Sequence, residues 1–227
     1  MFVTFEGVEG AGKSTALKNM ARELGQEGAD VLVTREPGGS GLGKALRTLL
    51  LDCNSQITPD AELCLFLADR AQHVAEVIRP ALAAGKVVLC DRYADSTYAY
   101  QGFARGMDLG RLRLLNDAVT GGLRPDLTLV FDVPEEEGLA RARARNQSEG
   151  TEVSEGRLDS ETLKFHAAVR GGFLKLAAAE PQRMRIIDST ACRADVLARC
   201  LECYRECRDR LSRDQRRRAN GSIKGCF

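Results

Sequence analysis

The amino-acid sequence predicts an α/β fold, a parallel sheet with helices on both faces. Short, continuously apolar runs alternate with longer amphipathic segments, which is typical of strands that are buried on both faces. Polar or glycine-rich segments follow three of the apolar runs, as expected where the carboxyl ends of strands face a ligand. The 227 residues are enough for one such domain with a substantial core.

Five segments are predicted to be strands and seven to be helices. The strands are Phe2–Phe5, Val31–Thr34, Val87–Cys90, Leu127–Val133 and Arg185–Ile187. The helices are Ser14–Gln26, Leu42–Leu51, Pro59–Ala84, Leu109–Thr120, Glu135–Arg145, Ser160–Ala179 and Arg193–Arg213. Ligands of such folds bind beyond the carboxyl ends of the strands, here at Glu6–Thr15, Arg35–Gly43, Asp91–Gln101 and the loop after Ile187.

Two polar segments interrupt this pattern. Residues 146–156 lack apolar periodicity and contain two glycines, which predicts a loop or lid. The basic segment that begins at Gln215 has almost no apolar residues, which predicts disorder. We therefore predict a single domain over residues 1–213, with a small mobile lid at about residues 143–158, and a disordered tail over residues 214–227.

Composition excludes several classes of protein. The net charge is +1, so no overall basic field favours nucleic acid, and the basic tail is interpreted as solvated rather than as a specific nucleic-acid contact. No apolar run approaches the roughly twenty residues of a membrane span, and the N-terminus lacks the pattern of a signal peptide. We expect a cytoplasmic protein without a membrane partner.

The cysteines and histidines are interpreted as structural. Eight cysteines in a chain of this kind are expected to be free thiols. Cys200, Cys203 and Cys207 alternate with leucines on one helical face. A metal site is the alternative there, but packing in the core is favoured. The two histidines, His73 and His166, lie in predicted helices.

A phosphate-binding loop follows the first strand. The segment Gly7–Ser14 matches G-x-x-x-x-G-K-[ST] between a strand and a helix, a context that disfavours a chance surface turn. Its backbone amides would surround phosphate oxygens, Lys13 would reach the outer phosphates, and the Ser14 hydroxyl would bind Mg²⁺. The helix N-terminus adds partial positive charge. The predicted triphosphate site is Gly7, Val8, Glu9, Gly10, Ala11, Gly12, Lys13, Ser14 and Thr15.

Three further residues indicate a second, phosphorylated substrate. Asp91 ends the third strand, where a carboxylate is the expected partner of Mg²⁺, partly through water. Arg92 beside it would conflict with a metal unless an anion lies between, and a guanidinium suits a phosphate group. Glu9 would repel a triphosphate if it pointed inward, so it should face a hydroxyl. These residues favour phosphoryl transfer over simple hydrolysis.

Several motifs together resemble bacterial thymidylate kinases. They are the phosphate loop with its preceding Phe5-Glu6, Thr34–Gly39, Asp91–Thr97 with Ala99–Gly102, Arg124–Thr128, and Arg157-Leu158-Asp159. The resemblance covers about residues 2–211. It implies a five-stranded P-loop kinase core with a lid, a homodimer, Mg²⁺ as cofactor, and phosphoryl transfer from ATP to dTMP.

The resemblance also implies roles in binding dTMP. Phe66 would stack on the thymine ring, and Arg70, one helical turn later, would donate to a thymine carbonyl and so reject the amino group of cytosine. Without the resemblance, Phe66 would be read as core and Arg70 as a solvated helix residue. Glu9 would hold the sugar 3′-hydroxyl, and Tyr100 would exclude a ribose 2′-hydroxyl. The remaining matched positions are Pro37, Arg47, Arg92, Ser96, Thr97 and Gln101; Thr97, like Glu36, could instead organise a turn.

The catalytic group implied by the resemblance includes an arginine from the lid. Some relatives carry a basic residue within the phosphate loop, but this loop has none. Arg157 is the first choice because it lies in the matched lid motif, and Arg143 or Arg145 is the second. The predicted catalytic set is Lys13, Asp91, Arg92, Arg143 and Arg157. The lid is longer than in most relatives and carries extra glutamates, which leaves the choice of arginine open.

Two other functions remain as alternatives. The chain could be a kinase of another nucleotide or of a nucleoside, although Arg92 and Arg47 disfavour an unphosphorylated acceptor. It could also be a P-loop protein that binds ATP for regulation, which only the basic tail supports. A dTMP kinase is the favoured interpretation, with dUMP expected to be a poor substrate because one methyl group is worth about 1–3 kcal/mol.

Overall fold

The strands form one five-stranded parallel sheet in the order β2-β3-β1-β4-β5. The computed structural model describes the backbone of residues 1–222 and the side chains of residues 1–151, 153–154 and 156–214. The strands are β1 Phe2–Gly7, β2 Val31–Arg35, β3 Val87–Asp91, β4 Leu127–Asp132 and β5 Met184–Asp188. All four neighbouring pairs are parallel, so the predicted fold class is confirmed.

The central position of β1 determines where the ligand site lies. Phe5 of β1 is opposite Asp91 of β3 on one side and Leu129 of β4 on the other. The carboxyl ends of these strands therefore meet at one edge, and the chain that leaves β1 there enters the phosphate loop. The strand order changes direction next to β1, which is where ligands bind in open α/β sheets.

Helices cover both faces of the sheet, and all seven predicted helices are present. They are α1 Lys13–Gln26, α2 Gly41–Leu51, α3 Pro59–His73, α4 Arg79–Ala83, α5 Ala94–Thr97, α6 Leu109–Thr120, α7 Glu135–Glu149, α8 Glu152–Glu155, α9 Leu163–Ala179 and α10 Arg193–Ser222. A π-helical turn, Val74–Ile78, joins α3 to α4, and another, Tyr98–Ala104, follows α5. The sequence analysis did not predict α5, its π-helical continuation or α8, which are too short or irregular for a clear helical period.

The lid is more helical than predicted. The expected loop over residues 146–156 is wrong for residues 146–149, where α7 continues to Glu149, and for residues 152–155, which form α8. Between the two helices, Gly150 has a φ of 66°, in the left-handed region. Polar residues such as Gln147 and Glu149 carry no apolar period but favour helix well enough to extend one that already exists.

The tail also differs from the prediction. The last helix continues through Ser222, so the expectation of disorder from residue 214 is wrong over residues 214–222, while residues 223–227 lie outside the described part of the chain. Arginine, glutamine and alanine favour helix. Low hydrophobicity excluded a packed core for this segment but did not exclude a helix.

The main core lies between the sheet and helices α1, α9 and α10. Cys200, Cys203 and Cys207 are buried in it, which confirms that they pack as core residues, and burial raises the pKa of the Cys200 thiol to about 12. Within residues 1–222, no helix is long and apolar enough to cross a bilayer.

Candidate active site

One large cavity, of about 1330 Å³, lies beyond the carboxyl ends of β1, β2 and β3. Its walls come from the phosphate loop, the segment after β2, α3, the segment after β3, and α7. The cavity collects most of the predicted site residues, namely Glu9, Gly10, Ala11, Gly12, Lys13, Ser14, Thr15, Pro37, Arg47, Phe66, Arg70, Asp91, Arg92, Ser96, Thr97, Tyr100 and Gln101.

The phosphate loop is held by hydrogen bonds from Lys13 and by close packing against α7. The buried Lys13 ammonium donates to Gly7 O at 3.1 Å and to Val8 O at 2.7 Å. Burial and the charge of Arg92 lower the pKa of Lys13 to about 8. Behind the loop, a Cβ added at Gly138 of α7 would lie 2.6 Å from Glu9 O. The first turn of the lid helix thus supports the loop, a role that the sequence analysis did not assign to Gly138.

The predicted metal ligands are adjacent. Ser14 Oγ donates a hydrogen bond to Asp91 Oδ2 across the gap between α1 and β3, and both residues line the cavity. A hydroxyl oxygen and a carboxylate oxygen beside a phosphate loop suit Mg²⁺, which takes oxygen ligands and keeps several waters. The donor set therefore fits the predicted cofactor.

The Glu9 carboxylate is hydrogen-bonded through one oxygen and approached by a histidine at the other. Its Oε1 accepts from Arg92 Nη2 at 3.2 Å and from the Tyr100 hydroxyl, and its Oε2 lies 3.4 Å from His166 Nδ1. Burial alone would raise the pKa of Glu9, but His166, Arg92, Lys13 and Tyr100 outweigh it and hold the pKa well below its ordinary value. Glu9 is therefore a charged acceptor for a hydroxyl.

Arg92 points from the end of β3 back to the phosphate loop. Its backbone φ of 70° is in the left-handed region, which is unusual for a residue with a side chain. Nη1 donates to Gly7 O at 3.0 Å and to Ser96 Oγ at 3.2 Å, and the guanidinium lies over the Tyr100 ring at 5.1 Å. This places a permanent positive charge between Glu9 and the metal ligands.

Glu6 is a buried carboxyl group that the sequence analysis did not single out as a site residue. Glu6 Oε1 accepts from Tyr93 N at 2.7 Å and its Oε2 from Ser96 Oγ at 2.6 Å. Burial and the nearby Asp95 raise the pKa of Glu6 to about 8. An acidic residue within an otherwise apolar central strand was the available signal. Glu6 fixes the turn that carries Arg92.

Arg70 is almost completely buried, with 2% of its side chain exposed. Its Nε donates to Glu36 Oε2 at 2.8 Å, and its Nη1 donates to Thr97 Oγ1 at 2.8 Å and to Asn116 Oδ1. Within the described part of the chain, these bonds engage Nε and Nη1 and leave Nη2 without a hydrogen bond. The interpretation of Arg70 as a solvated helix residue is therefore wrong, and Thr97 does more than organise a turn. Asn116 is a further contact that sequence reasoning missed.

Glu36 connects the Arg70 guanidinium to the second strand. His73 Nδ1 lies 2.9 Å from Glu36 Oε1, and His73 Nε2 lies 2.7 Å from Thr34 Oγ1. His73 is completely buried, which agrees with its structural interpretation. Phe66, on the same helix as Arg70, is half-buried at the cavity wall.

Two other predicted contacts are partly engaged by protein groups. Arg47 Nη1 donates to Pro37 O at 3.2 Å, which brings the predicted phosphate ligand and the pocket wall together. Gln101 Nε2 donates to Glu62 Oε1 at 2.8 Å. Both side chains still line the cavity.

Two of the predicted lid arginines, Arg157 and Arg143, do not line the cavity in this structure, whereas the third, Arg145, does. Arg157 Nε donates to Leu50 O, and its Nη2 lies 2.8 Å from Glu62 Oε2, so the side chain lies against α2 and α3. Arg143 Nη2 donates to Asp159 O at 3.4 Å. Arg141 and Arg145 of α7 line the cavity instead. A buried carboxylate that attracts Arg157 explains the difference, and the one-dimensional motif carried no sign of it.

Comparison with known proteins agrees with this geometry. Residues 5–199 match the family model described as thymidylate kinase. A thymidylate kinase of Nitratidesulfovibrio vulgaris is 63% identical over 191 residues, which are 84% of this chain and 89% of that protein. A thymidylate kinase of Desulfovibrio desulfuricans is 58% identical over 208 residues, covering 90% and 96% of the two chains.

A solved structure shows the same architecture. The crystal structure of thymidylate kinase from Ehrlichia chaffeensis superimposes with a TM-score of 0.72 at 32% sequence identity, covering 90% of this chain and 98% of that one. The chain belongs to the thymidylate kinase family.

Proposed function

We propose that this protein transfers the γ-phosphoryl group of ATP to dTMP, which forms dTDP and ADP in the route to dTTP. The observation that carries this assignment is the buried Arg70 at the cavity wall, whose Nη2 forms no hydrogen bond to the residues that the structure describes. Its other nitrogens are occupied by Glu36, Thr97 and Asn116. The guanidinium is therefore held in place and keeps one donor for a ligand.

Arg70 favours thymine because a guanidinium can only donate hydrogen bonds. A thymine carbonyl accepts from it, whereas the amino group of cytosine would place two donors together. Unpaired buried polar groups discriminate strongly between substrates. Phe66 lies one turn away at the cavity wall, where it supports the ring by stacking.

Residues around the phosphates position the two substrates for transfer. Arg92 and Arg47 bind the acceptor phosphate, while Lys13 and the loop amides bind the donor. Glu9 accepts a hydrogen bond from the 3′-hydroxyl, and Tyr100 closes the sugar site. Positioning and charge neutralisation are the main sources of catalysis in phosphoryl transfer. A lid arginine, Arg157 first and Arg143 or Arg145 second, completes the charge balance when the lid closes.

Ser14 and Asp91 hold Mg²⁺ in this proposal, Asp91 partly through water. The ion supplies charge neutralisation at the β- and γ-phosphates when it is bound. Ser14 and Asp91 are already hydrogen-bonded to each other, so their oxygens need little rearrangement to share a cation.

The working form is proposed to be a homodimer. Leu49 of α2 and Leu114 of α6 are exposed, the latter by 74% of its surface. Large exposed apolar side chains on two helices that both pack against α3 are suited to contact with a second copy. Light scattering of the purified protein would give twice the mass of one chain if this is correct and a single mass if it is not.

The substrate assignment is tested by ADP release with ATP, Mg²⁺ and one acceptor at a time. We expect efficient turnover with dTMP, weak turnover with dUMP, and almost none with dCMP or thymidine. Equal turnover with dCMP would contradict the role of Arg70. Turnover with thymidine would contradict the need for an acceptor phosphate.

A further inference from the structure

His166 is a buried imidazole whose polar contacts lead to the proposed sugar site. It lies on α9 with 2% of its side chain exposed. Its Nδ1 is 3.4 Å from Glu9 Oε2, and its Nε2 has no hydrogen-bond partner among the described residues. Leaving a buried nitrogen unpaired costs free energy. An apolar side chain would fill the same space without that cost, so packing alone does not account for a histidine here.

The Glu9 carboxylate needs a second anchor. Arg92 and Tyr100 both donate to Oε1, so the described side chains tightly bond only one of its two oxygens. The terminal torsion of a glutamate is broad and has no steep minima. When only one oxygen is tightly hydrogen-bonded, rotation about this torsion can still move the other oxygen. His166, the polar side chain beside Oε2, is placed to restrict that motion.

The unused capacity of the carboxylate is also at Oε2. Oε2 has no hydrogen-bond partner of standard geometry in the described structure, and each carboxylate oxygen can accept two hydrogen bonds. Because Oε2 is buried, it orients the carboxylate rather than meeting a ligand directly. An arriving hydroxyl therefore meets a carboxylate whose orientation depends on His166.

We propose that His166 is a positioning residue that fixes the Glu9 carboxylate and thereby sets the preference for a sugar that carries a 3′-hydroxyl. The proposal rests on the proposed function, because it assigns the 3′-hydroxyl of the acceptor to Glu9. His166 acts through Glu9 and touches no reacting atom.

The matched variants are His166→Phe, His166→Asn and His166→Gln. Phenylalanine keeps the ring and removes both nitrogens. Asparagine places an amide donor close to the position of Nδ1, whereas the longer glutamine places it close to the position of Nε2. A restored function in His166→Asn but not in His166→Gln would therefore identify the Nδ1 contact.

The measurement is the ratio of kcat/KM for dTMP to kcat/KM for 3′-deoxythymidine monophosphate, with ATP and Mg²⁺. We expect the wild type to prefer dTMP, and the ratio to fall about tenfold in His166→Phe and His166→Gln, the size of one hydrogen bond to a charged group. His166→Asn should keep most of the preference.

Each other result is decisive. Equal losses for both substrates in His166→Phe would show a structural role only, and an unchanged ratio in all three variants would show that His166 does not position Glu9. If His166→Phe does not fold, equal ratios in the Asn and Gln variants overturn the inference. A wild type that uses both acceptors equally also overturns it, while a wild type without dTMP turnover overturns the proposed function itself.

Discussion

The acceptor half of the cavity and the lid differ in what their arginines bind. Arg70 and Arg92 are held by several side chains and carbonyls around the cavity. Arg157, by contrast, is bonded to Leu50 O and Glu62, away from the phosphates. The acceptor half is therefore organised before any ligand arrives, whereas the lid must rearrange before its arginine can act.

The difference has a physical origin in the supporting elements. The residues of the acceptor half follow buried strands or lie on α3. Neighbouring groups form hydrogen bonds to them there from several directions. The lid is formed by α7 and the short α8, which are polar and contribute few buried side chains. Preorganised groups need no rearrangement during the reaction. Mobile lids instead exclude water and complete the site on closure.

Glu62 is the residue that joins the two regions. It is buried on α3 and pairs with Arg105 at 2.7 Å as well as with Arg157. Burial would raise the pKa of Glu62, but its bonds to Arg105, Gln101 and Arg157 lower it. A carboxylate that stays charged on α3 thus holds Arg157 away from the cavity.

The largest effect is expected for Arg70→Gln. Glutamine can both donate and accept, so the variant would lose a group that can only donate, and Glu36 would keep only one of its two buried partners, His73. We expect kcat/KM for dTMP to fall about 10³-fold, with a smaller fall for dCMP, because unpaired buried groups are costly. Steady-state kinetics with both acceptors measures this.

Arg79→Gln is the matched control for this variant. Arg79 donates to Thr120 O and Gly121 O at the end of α6 and does not line the cavity. Its loss should lower stability without changing the preference for dTMP. An unchanged preference for dTMP over dCMP in Arg70→Gln would show that Arg70 has a structural role and does not select the base.

The sequence predicted the residues of the phosphate loop and the strand ends better than those of the lid, for the same reason. Phosphate-loop and strand-end residues such as Lys13 and Asp91 are fixed by local patterns, because the turn and the strand determine where they lie. Arg157 depends on a contact with Glu62, 95 residues away in the chain, which no periodicity reveals. Glu6 and Gly138 were missed because their roles arise only from packing between elements.

Arg157→Ala tests whether the lid supplies a catalytic charge. We expect kcat to fall about 10²-fold with little change in KM for dTMP, since the contact forms only when the lid closes over the transferring group. Arg145→Ala and Arg143→Ala, measured in parallel, should have smaller effects. A larger loss in Arg145→Ala would assign the catalytic role to the arginine that already lines the cavity.

Gly138→Ala tests whether the lid helix supports the preformed half. The added Cβ would lie 2.6 Å from Glu9 O, so the phosphate loop or α7 must move. We expect kcat/KM for dTMP to fall about tenfold, because small displacements of positioned groups slow transfer. Gly171→Ala on α9 is the control, since its Cβ would meet nothing within 4 Å, and it should gain about 1 kcal/mol of stability. Equal values of kcat/KM for dTMP in Gly138→Ala and Gly171→Ala would show that the lid helix does not support the phosphate loop.

The smallest effect is expected in the pH dependence of ATP use. Burial and Arg92 lower the pKa of Lys13 to about 8, so in the free enzyme the charged form is lost as pH rises through that value. The charged fraction falls about threefold between pH 7.5 and 8.5, and kcat/KM for ATP should follow it. Bound phosphate favours the charged lysine, so kcat at saturating ATP should stay level over this range.

Glu6→Gln separates the two groups that titrate near this pH. The pKa of Glu6 is raised to about 8, but glutamine does not titrate and can still accept a hydrogen bond from Tyr93 N. If Lys13 causes the fall in kcat/KM, the fall persists in the variant. If the fall disappears, Glu6 is its source, and the turn that carries Arg92 changes with pH. A level profile in the wild type would show that Lys13 remains charged, and that the phosphate loop belongs with the preformed half of the site before ATP binds.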